Sequence, residues 1–175
     1  MPRGEPFTMV YDALWAMLEA NEDFTDLVPV GNRIKYGNDN RSPEKDEILN
    51  SDLPEVRIVP VGVTPQPRRT STSSAVLKRF AIQITSDTRG IHDTFHPIEW
   101  QIFKSLVDWI TVLSALRWNE KRFAVKCTFM TAPEGLHVSS ATDKRGITSW
   151  ATVWQCEVEM FFPIADLLPA EEEEE

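Results

Sequence analysis

The chain has 175 residues, 42% of them hydrophobic and 26% charged, with six tryptophans and nine phenylalanines. That is enough to bury one sizeable core, and the simplest reading is a single soluble domain over 1–164 followed by an acidic tail over 165–175. The net charge is −9, of which Glu171 to Glu175 supply five, so the body is only mildly acidic and lacks the basic footprint of tight, sequence-independent nucleic-acid binding. No apolar run approaches membrane-spanning length, and the opening Met1-Pro2-Arg3-Gly4-Glu5-Pro6 is unlike a secretory signal, so assembly in a cytoplasm and no membrane partner are expected.

In chain order, Val10, Tyr11, Leu14, Trp15 and Leu18 recur at helical spacing, which predicts a helix over 8–18 with Thr8 as N-cap. Asn21 ends it, and Phe24, Leu27 and Val28 add one turn before Pro29. A short strand is expected over 33–36. Residues 37–52 are polar and rich in turn formers, a long mobile loop. A strand opens at Leu53. Pro60 cannot donate to a ladder, so it marks an edge or a strand end. Residues 64–74 carry Pro65, Pro67, Arg68, Arg69 and a Ser/Thr run, and are expected as the mobile tip of a long hairpin. The return strand spans 76–86, with Lys78 near the tip and solvated.

Pro97 suits the first turn of a second helix, whose apolar stripe runs through Ile98, Ile102, Leu106, Trp109, Ile110 and Leu113. A turn at 117–121, a strand over 123–130 and a polar loop over 133–146 follow. The run 147–162 shows period-two alternation: Trp150, Thr152, Trp154, Cys156, Val158, Met160 and Phe162 on one side, with Ser149, Gln155, Glu157 and Glu159 among the residues of the other. Sixteen strand residues would span roughly 54 Å. A compact chain of this length is about 40 Å across. The strand must therefore bend, carry a bulge, or project toward a partner. The whole reads as an α+β fold, a four- to five-stranded antiparallel sheet with two main helices on one face and a long hairpin arm.

Candidate chemistry is sparse. His92, Asp93, His96 and Glu99 have spacings that suit a metal on one helix, but Pro97 starts the helix after His96 and leaves His92 in the preceding loop. Polar residues at that position also serve as caps. No Gly-x-Ser-x-Gly elbow frames a nucleophile, and the seven glycines form no phosphate-cradling loop. Cys127 and Cys156, one on each of two strands, read as reduced core thiols, and a pairing of Cys127 with His137 lacks the electropositive setting a reactive thiolate needs. No cofactor and no enzymatic activity are expected. A basic stripe of Arg68, Arg69, Lys78 and Arg79 along the hairpin and acidic Glu157 and Glu159 on the long strand suggest a head-to-tail contact between identical subunits.

Two stretches resemble phage tail terminator and tail-completion (neck) proteins: the opening Tyr11-Asp-Ala-Leu-Trp-Ala-Met-Leu-Glu-Ala-Asn-Glu-Asp-Phe-Thr-Asp-Leu-Val28 with Gly31-Asn32-Arg33-Ile34, and Leu53-Pro54-Glu55-Val56-Arg57-Ile58. The helix pattern Arg89-Gly90 followed by Pro97-Ile98-Glu99 and Leu106-Val107-Asp108-Trp109-Ile110 follows in the same order. The resemblance implies a non-enzymatic virion protein of the tail or neck. It would form a ring, usually a hexamer, that caps the tail tube, meets the neck connector and, in contractile tails, the sheath, while DNA only passes through the channel. A mildly acidic wall would let DNA slide past by like-charge repulsion. A head-completion or other neck adaptor is the nearest alternative, and a small metal-dependent enzyme built on His92, Asp93, His96 and Glu99 a more distant one.

Overall fold

The computed structural model describes residues 5–35, 53–70, 73–87, 93, 95–107, 109–131, 139–142 and 148–167, of which 67–70, 87, 110, 125–131, 139–142 and 148–150 are described as backbone only. Helix α1 spans Pro6–Glu19 and α2 spans Glu22–Leu27. Pro6 sits at the first helical position, where its fixed φ is an asset, so α1 begins earlier than Thr8. Asn21 ends α1 and caps α2, its side-chain oxygen accepting from the Phe24 amide. A 3-10 turn over Val30–Asn32 leads into β1, Arg33–Lys35.

Strands β2 (Glu55–Thr70) and β3 (Ser73–Asp87) form the long hairpin. Helices α3 (His96–Val107) and α4 (Trp109–Ala115) follow where one helix was expected. Next comes a two-residue hairpin of β4 (Arg117–Trp118) and β5 (Lys121–Arg122), then β6 (Ala124–Thr131), β7 (Ser139–Thr142) and β8 (Thr148–Pro163). The β4–β5 turn places Asn119 and Glu120 at φ of 47° and 66°. Positive φ at both central residues is the signature of a type I′ hairpin.

The fold is α+β, with a six-stranded sheet in the order β1-β2-β3-β8-β6 and β7 also paired to β8. The sheet is mixed rather than wholly antiparallel, because β1 runs parallel to β2, Arg33 to Lys35 facing Val56 to Ile58. The other pairings in the sheet are antiparallel, β2 with β3 as a hairpin and β3 with β8 across the whole helical segment. Residues 64–70 belong to β2, so most of the segment expected as a hairpin tip is strand, and β7 lies inside the polar stretch expected as loop. Residues 37–52 and the tail beyond Leu167 lie outside the described residues.

The long strand does not project. From Ser149 to Pro163, β8 pairs with β3 in unbroken register, Ser149 against Asp87 and Pro163 against Ser73. Its other edge takes β7 and then β6. Backbone donors and acceptors are thus used within the chain, and β3 is about as long as β8. Even-numbered residues of the three central strands, on β2 as far as the register shift after Pro60, face the helices: Val56 and Ile58, Phe80, Ile82 and Ile84, Cys156, Val158 and Met160 are all buried. They meet Val10, Leu14 and Leu18 of α1 and Ile98, Ile102 and Leu106 of α3 in one core. Ile98, Ile102 and Leu106 of the stripe read from the sequence are the buried face of α3, and Trp109, Ile110 and Leu113 fall on α4. Among the described residues no helix is long and apolar enough to cross a membrane.

Candidate interaction surfaces

Glu99 is the best-connected carboxylate of the expected metal cluster, and its contacts are structural. Its Oε1 accepts from the Trp154 indole N–H at 3.1 Å and the Thr152 hydroxyl at 3.3 Å. Its Oε2 lies 3.3 Å from His96 Nδ1. Helix α3 is thereby fastened to β8 at its first turn. Asp93 is exposed, and His92 lies outside the described residues. Among the described residues no group of three or more His, Cys, Asp or Glu is arranged to hold a metal. Cys156 is buried in the core, whereas the side chains of Cys127 and His137 lie outside the described residues.

The Gly31-Asn32-Arg33-Ile34 motif also has a local explanation. Arg33 donates from Nε to the Val28 carbonyl at 2.8 Å and from an Nη to the Thr25 carbonyl at 3.0 Å. Those carbonyls belong to the end of α2, where orphan acceptors collect and a cation is favoured. Its guanidinium also lies 5.9 Å from the Phe24 ring centroid. Asn21 bridges the same corner to α3 through Ser105 Oγ at 2.9 Å and the Gln101 carbonyl at 3.3 Å. The motif builds the α1–α2–β1 corner.

The charged stripe is split by strand alternation. Arg79 faces the side of the sheet opposite the helices and pairs with Glu157 directly across on β8, Nε to Oε1 at 2.6 Å. The two groups expected to meet between subunits thus meet within one chain. Lys78 points the other way, toward the helices. It is only 9% exposed rather than solvated, because α1 starts at Pro6 and lays Phe7 beside it. Glu159 follows on the outer face, opposite Leu77 and Lys126. Arg68 and Arg69 fall near the end of β2, and their side chains lie outside the described residues.

A surface not anticipated from sequence stands on the outer side of α3. Trp100, Phe103 and Val107 are 57%, 46% and 59% exposed, and the two rings stack at a centroid distance of 5.7 Å. Their spacing puts them on one helix face. The available signal was three large apolar residues standing off the Ile98–Ile102–Leu106 stripe. A second apolar group lies on β2, where Val61 and Val63 are exposed. Among the described residues β2 is an edge there, since β1 covers only Val56 to Ile58 and a register shift follows Pro60. Pro60 therefore marks an edge as its chemistry requires. Prolines along this edge oppose the addition of another strand.

No protein-family model and no curated protein matches the chain. A solved structure described as "Virion of native gene transfer agent (GTA) particle" contains a similar chain. It is 16% identical, covers 85% of this chain and 93% of that one, and superposes with a TM-score of 0.46.

Proposed function

We propose that this chain is a structural subunit of a phage virion, closing with copies of itself into a ring that ends the tail tube and meets the neck connector. The observation that carries the reading is the stacked Trp100–Phe103 pair with Val107, an apolar face left in water on an otherwise well-packed helix. Such a face is characteristic of a surface that is covered in an assembly. A second copy is the proposed occupant. The resemblance of the Gly31–Ile34 corner and the Leu53–Ile58 strand opening to tail terminators supports the same reading. Among the described residues, Arg79 with Glu157 and Glu99 with Trp154 hold elements of the chain together.

In the proposed ring, the Arg68–Arg69 end of the hairpin and the 37–52 segment reach a neighbouring subunit or the tube. Arg79 and Glu157 neutralise each other, so they contribute little to contacts between subunits. Tail tube protein, neck connector and, in a contractile tail, sheath are the proposed partners. DNA passes without specific contact.

The test is mass photometry of the purified protein, alone and with tail tubes. The wild type is expected to form closed rings, a hexamer being the first candidate, and to bind tube ends. The double substitution Trp100→Glu and Phe103→Glu is expected to give a folded monomer. A wild type that is strictly monomeric and ignores tube ends overturns the proposal.

A further inference from the structure

Lys78 is an anomaly in its row. Strand alternation puts it between Val76 and Phe80 on the helix-facing side, opposite Val63 on β2 and Val158 on β8. Its ammonium lies 5.4 Å from the Phe7 ring centroid and 5.6 Å from that of Phe80. Among the described residues it has no hydrogen bond and no ion pair. Burial holds its pKa below the usual lysine range. An ammonium carries three donors, and a buried charge without a partner is costly. Two aromatic faces offset only part of that cost.

The same place is hollow. A cavity of about 260 Å³ is lined by Phe7, Tyr11, Asp12, Pro60, Lys78 and Phe80, with Lys35 beside them. Lys35 is already engaged, 2.9 Å from Glu19. Asp12 is exposed and makes no ion pair with Lys78. The cavity therefore presents aromatic and proline walls and one unspent cation, a setting suited to a carboxylate on an aliphatic stem.

We infer that the Lys78 cavity is a carboxylate-binding pocket, and that its occupant is the glutamate run Glu171–Glu175 of the same chain. Charge is complementary: five carboxylates against an ammonium that lacks one. Length permits it. Lys78 stands opposite Val158, five residues before Pro163, which is about 17 Å along β8. The described chain ends at Leu167, and the four to eight residues to Glu171–Glu175 can extend roughly 13–28 Å. Tethering on one chain gives the run a high effective concentration at the pocket. The inference stands whether or not the chain forms rings.

The test uses the full chain with all five glutamates changed to glutamine. A fluorescent peptide of sequence Leu-Pro-Ala followed by five glutamates is expected to bind this variant. Adding Lys78→Met is expected to weaken that binding by about tenfold or more, the loss of a charge-assisted contact. Methionine conserves volume, so the variant should fold, as circular dichroism would check. Peptide binding that is absent, or indifferent to Lys78→Met, overturns the pocket. Acetylation of Lys78, followed by mass spectrometry, then identifies the occupant. Protection in the wild type that disappears in the five-glutamine chain and does not change on dilution supports the same-chain run. Protection lost on dilution assigns the pocket to a second copy and overturns the same-chain assignment.

Discussion

Replacing Glu99 by alanine removes the acceptor that joins α3 to β8 and strands two donors, the Trp154 indole N–H and the Thr152 hydroxyl. Thr152 is buried and Trp154 packs against the core, so water can replace the carboxylate only in part. A hydrogen bond to a charged group contributes about 1.5–3 kcal/mol. The Glu99 side chain is 21% exposed, so the lower end applies to each contact. The His96 partner is largely solvated and adds little. The expected loss is therefore ~3 kcal/mol, which in a chain of this size lowers Tm by roughly 6–12 °C. Glu99→Gln retains a carbonyl oxygen for both donors and should cost only about 1 kcal/mol. Urea unfolding followed by tryptophan fluorescence measures both variants. If Glu99→Ala costs less than about 0.5 kcal/mol, the anchor reasoning is wrong. Were zinc or manganese to stabilise the wild type but not Glu99→Gln, the metal-site reading would return.

Two further substitutions test local parts of the architecture. Arg33→Ala strands the Val28 and Thr25 carbonyls at the end of α2 and should cost about 2–3 kcal/mol in urea unfolding, while Arg33→Lys recovers only part because an ammonium lacks the planar fork that spans both acceptors. Glu120 occupies a left-handed conformation that glycine adopts without strain, so Glu120→Gly should raise stability by roughly 0.5–1 kcal/mol, and a loss of stability in a melting experiment would refute the turn assignment.

Periodicity made much of this fold legible. The alternation over 147–162 and the Ile98–Ile102–Leu106 stripe correspond to β8 and the buried face of α3, because burial on one side imposes the chemistry residue by residue. Features created by pairing were not legible. Ser139–Thr142 has no apolar alternation and is a strand only because it pairs with β8. Residues 64–70 contain turn formers, yet a three-strand ribbon with β3 and β8 makes them strand. The parallel run of β1 depends on a connection through residues 36–54, which carries no local signal of direction.

The charged residues divide along the same line. The sequence by itself determined the α+β class, the core faces and the absence of recognisable catalytic motifs, since these follow from side-chain pattern alone. Only the tertiary structure decided that β8 spends its length inside the sheet, that Arg79 meets Glu157 within one chain and that Glu99 is an anchor. It also decided that Lys78 is buried beside a cavity while Trp100 and Phe103 stand in water. The physical reason is that a residue's pattern says which side of its own element it occupies. What waits on that side is set by strand register and by the elements packed there, which are distant in the chain.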